Sequence, residues 1–288
     1  DFNIISKEIL NFKYELLPLI LILVSTSWIP LLVRWHLLLQ KNDIHIPIKN
    51  SFLLFLGGMS MVITPGHVGE LIKSQLMKTL YGIPRTKTAP IIFIEKFYDL
   101  TGAIIASIMG IIILGMDLNL IFISVAILFG IIFLIYYRPI FELILKKITK
   151  TKFFSKYSEN ISDSYEIVRN STTPKISSIS FALSISYWII ISLAVHFILL
   201  SFGIDSINIL RTISIYSSSV IIGAVTFIPG GMGVTEGSLI GLFTLEGIDV
   251  SLALILSVMI RILTMWYSVS IGFICLKLTG GLSNSKKL

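Results

Sequence analysis

The sequence predicts an all-α polytopic membrane protein built of inverted repeats, each with a re-entrant helical hairpin broken at Pro-Gly. Of the 288 residues, 55% are hydrophobic and only 14% are charged, and the mean hydropathy is +0.90. This is more apolar surface than a soluble core of this size can bury. The predicted organisation is a single membrane domain over residues 1–288.

Five apolar runs reach the length of about 20 residues that crosses the hydrocarbon core of a bilayer. They lie at 17–39, 89–115, 119–137, 177–202 and 250–278. Each is predicted to be a spanning helix. The run 119–137 and the basic segment behind it form the predicted connection, 119–175.

Two shorter runs, 51–63 and about 212–228, each stop at a Pro-Gly pair. A second short helix is predicted behind each pair, which gives hairpins over 51–80 and 212–247. Such a hairpin is re-entrant, because non-helical backbone at membrane depth persists only where it is buried in protein or lines a wet cavity.

The distribution of charge predicts the topology. The segment 138–175 contains eight basic and four acidic residues, which assigns it to the cytoplasm. Counting crossings then places the C-terminus inside and residues 1–16 outside, in a multi-pass protein of the plasma membrane. The net charge of +7 is thereby explained mostly by topology, with anionic lipid as an open alternative and no nucleic-acid partner.

The two hairpins are related in sequence. Pro65-Gly66 aligns with Pro229-Gly230, and a glutamate follows each break, Glu70 or Glu236. Repeats over 17–115 and 177–278 are therefore predicted. Inverted repeats with broken helices that meet near the midplane are typical of secondary transporters.

Charged side chains inside the apolar runs are the next clue, because each is costly if it faces lipid. Glu95 and Asp99 are four residues apart and share a helix face. For Arg34, near the end of the first run, snorkelling to the interface is a sufficient explanation. Two roles stay open for these charges. One is direct substrate binding. The other is an interior ion pair that clamps the two halves, formed by Arg261 with the carboxylate of Glu95, Asp99 or Glu236.

The breaks also predict an anion site. A helix that begins near Val68 or Val234 points its free N–H groups at the middle of the membrane, where Lys73 or Arg261 could add counter-charge. However, Glu70 and Glu236 in a first helical turn are stabilising there by themselves. They would occupy an anion's place, which favours a zwitterionic or cationic head group.

The candidate substrate-binding residues combine both breaks with these charges. They are Thr64, Pro65, Gly66, His67, Gly69, Glu70, Lys73, Glu95, Asp99, Pro229, Gly230, Gly231, Gly233, Thr235, Glu236 and Arg261. The sequence predicts no catalytic residue, no metal site and no cofactor, because its four histidines lack ligand spacing and no HExxH or GxSxG motif occurs.

Four segments together carry a family resemblance: "TPGHVGELIKSQLM", "IEKFYDLTG", "PGGMGVTEGSLIGL" and "RILTMW". They resemble the integral-membrane, flippase-like domain of lysylphosphatidylglycerol synthases and their stand-alone relatives. The resemblance covers nearly the whole chain and implies a role in lipid head-group translocation or in assisting the synthesis of a modified or lipid-linked glycan. His67 is a departure, since the family usually has Lys or Arg there. The resemblance also implies a further helix ahead of residue 1, and no lysyl-lipid synthesis by these residues alone.

Three functions follow as hypotheses. The first is a non-enzymatic lipid flippase or scramblase for a phosphate-containing or aminoacylated head group, with phospholipid or polyprenyl-phosphate-linked lipids as partners. The second is a non-transporting accessory subunit of a glycosyltransferase or lipid synthase, which would be its protein partner. The third is an ion channel or ion-coupled solute transporter. A homo-oligomer is compatible with each.

Overall fold

A computed structural model of the protein describes residues 12–114 and 161–280, together with a few isolated positions between them. Within the described residues every regular element is helical and no strand occurs. The predicted span 119–137, the loop before it and most of the basic segment 138–175 lie outside the described residues, as do residues 1–11 and the tail from 281.

Ten α-helices make up the described fold. They are α1 (Leu17–Lys41), α2 (Ile48–Met59), α3 (Ile72–Tyr81), α4 (Arg85–Leu114), α5 (Ile161–Ser171), α6 (Pro174–Ser201), α7 (Ile209–Val225), α8 (Val234–Leu245), α9 (Val250–Arg261) and α10 (Tyr267–Leu278). A π-helical turn, Ile262–Trp266, joins α9 to α10 without a break.

A 3₁₀ turn, Tyr14–Leu16, leads directly into α1. Three helical segments of the described residues are long and apolar enough to cross a membrane: Tyr14–Lys41, Pro174–Ser201 and Val250–Leu278. They correspond to the predicted runs 17–39, 177–202 and 250–278. The run predicted at 89–115 is also helical, as part of the 30-residue α4. Helices α2 and α7 are the shorter apolar helices, as their lengths in the sequence predicted.

Local sequence fixes where several helices begin and end. The side chain of Asn208 accepts a hydrogen bond from the Arg211 amide at the start of α7, and Asp249 does the same for Ser251 at the start of α9. These are N-caps, which satisfy amides that have no intrahelical partner. Gly82, with φ of 67°, ends α3 in the left-handed conformation that glycine adopts most readily.

The first break differs from the prediction that a helix begins near Val68. Pro65–Leu71 forms a 3₁₀ turn instead, and the α-helix begins only at Ile72. The Thr64 hydroxyl accepts a hydrogen bond from the Gly69 amide at 2.7 Å, which holds the tighter turn. At the second break the prediction is confirmed, since α8 begins at Val234.

The helices of the first half pack mainly on those of the second. Helix α1 lies against α6, α4 against α7, and α2 against α10. Small residues allow close approach between helices of the two halves, as is common between membrane helices. A Cβ on Gly272 of α10 would lie 2.5 Å from the Ser60 amide nitrogen, and one on Gly102 of α4 would lie 2.7 Å from the Ser184 Cβ.

Candidate functional site

The two Pro-Gly breaks meet in the structure. A Cβ placed on Gly66 would lie 3.0 Å from the ring of Phe227, and one on Gly230 would lie 3.6 Å from the Cα of Ile63. Gly66 and Gly230 have φ of 56° and 58°, a region that side chains with a Cβ seldom adopt. The backbone conformation therefore favours glycine at both points, and at Gly66 a side chain would also press on the Phe227 ring.

Beside the first break lies a charged cluster of three cations and three carboxylates. Its members are Arg34, Glu70, Lys73, Glu95, Lys96 and Asp99. They come from α1, the 3₁₀ turn, α3 and α4, so the fold of the first half assembles the cluster.

The deepest part of the cluster is the ion pair of Lys73 with Glu95. The Nζ–Oε2 distance is 2.6 Å, and the two side chains are 1% and 2% exposed. The ammonium also lies 3.5 Å from a carboxylate oxygen of Glu70, and 4.7 Å from the ring centre of Trp35. Full pairing offsets part of the desolvation cost of such buried charges.

Arg34 shows that the snorkelling explanation is wrong. Its side chain is fully buried, and Nη2 donates to Asp99 Oδ1 at 2.5 Å. Nη1 donates to the Ser184 hydroxyl on α6. A guanidinium that is buried and paired with groups of α4 and α6 is not extended toward solvent at the end of α1.

The outer part of the cluster is centred on Lys96. Its Nζ lies 2.6 Å from Glu70 Oε1 and 3.3 Å from Asp99 Oδ2. The expectation that Glu70 only favours a helix N-terminus is therefore wrong, because this buried side chain contacts Lys73 and Lys96 instead.

A second, smaller charged centre lies at the other break. Glu236 Oε1 accepts from Arg261 Nε at 2.7 Å, and Oε2 accepts from the Gly233 amide at 2.6 Å. The Arg261 guanidinium also donates to the Gly230 carbonyl. The capping role expected of Glu236 is thus confirmed, and Glu236 is the carboxylate that pairs with Arg261.

The interior ion pair left open by the sequence is present between Arg261 and Glu236, but it does not join the two halves. Asp99 pairs with a cation of the first half, and Arg261 with a carboxylate of the second. Hydrogen bonds cross between the halves instead. Besides the bond from Arg34 to Ser184, Trp188 Nε1 donates to the Asp99 carbonyl at 3.1 Å.

Two adjoining cavities lie between the breaks. Cavity 1, about 380 Å³, is bordered by Gly66, Glu70, Glu95, Lys96 and Asp99. Cavity 2, about 160 Å³, is bordered on its polar side by Gly230, Gly231, Thr235, Arg261 and Thr264. Both share a wall formed by Met59, Val62, Gly66, Tyr187, Val220 and Ala224. Apolar side chains make up most of the remaining lining.

The predicted site residues divide accordingly. Eight line a cavity: Gly66, Glu70, Glu95, Asp99, Gly230, Gly231, Thr235 and Arg261. The others support the breaks or the charged centres without lining either cavity: Thr64, Pro65, Gly69, Lys73, Pro229, Gly233 and Glu236. The side chain of His67 lies outside what the structure describes. No group of three potential metal ligands occurs among the described residues.

Sequence reasoning missed Arg34 and Lys96 as members of the site. Lys96 had a usable signal, because a cation three residues before Asp99 lies on the same helix face. For Arg34 the signal was its depth within the apolar run. Its partner could not be identified, since Asp99 is 65 residues away in sequence.

Comparisons with known proteins place this arrangement in context. Residues 1–272 match the family model described as "Lysylphosphatidylglycerol synthase TM region". A stretch of 94 residues is 30% identical to a protein of Methanothermobacter thermautotrophicus named "UPF0104 membrane protein". The matched stretch covers 33% of this chain and 28% of that relative. No solved structure matches the chain significantly.

Proposed function

The chain belongs to the family of the lysylphosphatidylglycerol synthase transmembrane region, and on that premise we propose that it is a lipid transporter of the flippase or scramblase type. The head group, phosphate-containing or aminoacylated, would pass through the two adjoining cavities while the acyl tails stay in the bilayer. The observation that carries the proposal is the placement of paired charges on the wall of a largely apolar cavity between the two breaks.

The charges on the cavity walls replace the electrostatic interactions with water that a head group loses when it enters the membrane. A charged group that enters hydrocarbon without partners meets a cost of several kcal/mol. In cavity 1 it would meet the ammonium of Lys96 and the carboxylate of Asp99, which are 34% and 24% exposed. Cavity 2 adds Arg261 and the backbone of the glycine-rich second break. A polar path of this kind lowers the barrier without requiring nucleotide hydrolysis by these residues.

Inverted repeats are part of the proposal, and the helix packing supports them. In the proposed repeat, α1 corresponds to α6, α2 to α7 and α4 to α10. A two-fold axis that relates the halves would then map the contact of α4 with α7 onto the contact of α10 with α2. The contact of α1 with α6 then lies on the axis, as does the contact between the two breaks. Such a relation between halves is typical of proteins that expose a central site alternately.

The re-entrant character of both hairpins is likewise proposed. Two features favour it: α2 and α7 are short apolar helices, and both breaks line a cavity, where non-helical backbone can exist at membrane depth. The topology with the basic segment 138–175 and the C-terminus in the cytoplasm, and the location in the plasma membrane, remain predictions.

Transport can be tested with the purified protein in sealed vesicles. Phospholipid and polyprenyl-phosphate probes carrying an acyl-chain or prenyl-chain label are placed in both leaflets, and an impermeant quencher reports the outer pool. The proposal expects the quenched fraction to exceed that of protein-free vesicles. Equal quenching in both, with folded protein, would contradict it. Ionic conductance without lipid movement would support the channel alternative, and a co-purifying synthase without lipid movement the accessory one.

A further inference from the structure

The charges that surround the cavities sum to zero. The cluster beside the first break has three cations and three carboxylates, and the second centre has one of each, Arg261 and Glu236. Every one of these groups has an oppositely charged partner within 3.3 Å. The described walls therefore offer no surplus charge to a ligand of either sign.

Within the cluster, only Lys96 and Asp99 are partly open. Their side chains are 34% and 24% exposed, whereas those of Arg34, Glu70, Lys73 and Glu95 are at most 5% exposed. Both line cavity 1, and Nζ of one lies 3.3 Å from Oδ2 of the other. The cavity wall thus presents a positive and a negative group side by side.

A ligand with both signs of charge can match this pair without leaving either group unpartnered. Its phosphate would bind the ammonium of Lys96, and its own ammonium would bind the carboxylate of Asp99. A net anion that bound Lys96 would instead lie beside the carboxylates of Asp99 and Glu70, and a net cation at Asp99 would lie beside Lys96. Repulsion between like charges in a poorly hydrated site strongly disfavours both the net anion and the net cation.

We infer that the site selects lipids whose head group has zero net charge and carries a phosphate and an ammonium together, with Lys96 and Asp99 as the residues that determine this specificity. The inference rests on the proposed function and narrows it. On this inference the protein transports zwitterionic phospholipids in preference to phosphatidylglycerol-like anions and to aminoacylated lipids with net positive charge.

The experiment compares three phospholipid probes with identical labelled acyl chains and head groups that are zwitterionic, anionic or net cationic. The full chain is reconstituted in vesicles of zwitterionic carrier lipid, and the probes are assayed separately. We expect the zwitterionic probe to move about tenfold faster than the other two, equivalent to about 1.4 kcal/mol. Equal rates for all three, or faster movement of the anion, would overturn the inference and leave the proposed function intact. If only a polyprenyl-phosphate probe assayed in parallel moves, the inference fails and the proposed function stands; if that probe and all three phospholipids stay in place, the proposed function itself fails.

The variant Lys96→Gln tests the assigned residue. It leaves an uncompensated negative charge on the wall of cavity 1. The ratio of the transport rate of the cationic probe to that of the anionic probe should therefore rise by about tenfold or more. Lys96→Arg keeps the charge and should retain the original order of rates. A uniform slowing of all probes by Lys96→Gln, with their ratio unchanged, would show that Lys96 has only a structural role and would overturn the assignment. The converse variant Asp99→Asn should favour the anionic probe, and its unfolding midpoint is measured first because Arg34 depends on Asp99.

Discussion

Replacing Lys73 by methionine tests whether the inner part of the charged cluster is a structural ion pair. Lys73 lines neither cavity, and its ammonium lies 2.6 Å from Glu95 in a site that is 1–2% exposed. Methionine fills a similar volume and can pack against the rings of Trp35 and Phe55, whose centres lie 4.7 Å and 5.2 Å from the ammonium. The carboxylate of Glu95, however, loses the cation that contacts it.

The expected magnitudes differ between the two partners. Lys73→Met should lower the free energy of unfolding by about 3–5 kcal/mol, because it leaves a buried carboxylate without a contacting cation. Glu95→Leu should cost less, about 1–3 kcal/mol, since Lys73 keeps Glu70 at 3.5 Å. The double variant removes both charges and should recover most of the loss, because replacing a whole buried pair by apolar groups is often neutral.

The assay is reversible unfolding in mixed micelles, followed by circular dichroism across a denaturing-detergent titration. Lys78→Met on the exposed face of the same helix is the matched control, with an expected change within about 0.5 kcal/mol. A double variant whose loss equals the sum of the two single losses would refute the reasoning, because it would mean that the pair has no coupling energy.

Three further predictions concern backbone and core. Gly69→Ala should lower the free energy of unfolding by about 1–3 kcal/mol, since the new Cβ would lie 2.6 Å from a side-chain carbon of Thr64. Its control, Gly237→Ala, places a Cβ in open space and should stabilise α8 by about 0.5–1 kcal/mol in the same titration. Phe227→Gly should raise the unfolding midpoint, because Phe227 has φ of 54°, which costs a residue with a Cβ about 1–2 kcal/mol, and the residue is 71% exposed. A lower midpoint would mean that the contact of the ring with the first break outweighs the strain. Cys275, 8% exposed and free, should react with a soluble maleimide only after unfolding, and rapid labelling of the folded protein would contradict its burial.

Much of the helical framework could be predicted because its causes are local. Apolar length predicted the long helices, and the Pro-Gly pairs predicted that a short helix ends ahead of each pair, since proline and left-handed glycine interrupt the helical backbone. The end of α2 was placed too late, because this helix already stops at Met59, six residues before Pro65. The start of the helix after the first break was misplaced by four residues. There the Thr64 side chain stabilises a 3₁₀ turn, and no propensity distinguishes this turn from an α-helix.

The candidate site could be predicted only in part because pairing is decided by tertiary packing. The sequence identified Glu95, Asp99 and Arg261 as costly charges in apolar runs, but three carboxylates were equally available to Arg261. The structure pairs it with Glu236, which lies 25 residues away and also caps α8. Glu70 was expected to behave as Glu236 does. It differs because the lysines at 73 and 96 have no counterparts at the second break.

The most direct test of the central claim, that a lipid head group passes through the joined cavities, is to fill them. Ala224 borders both cavities, while Ile222 on the same helix is 45% exposed and borders neither. In the vesicle assay Ala224→Trp should reduce lipid movement to the level of protein-free vesicles, and Ile222→Trp should leave it unchanged, with equal unfolding midpoints for the two variants. Undiminished lipid movement by Ala224→Trp would contradict the account.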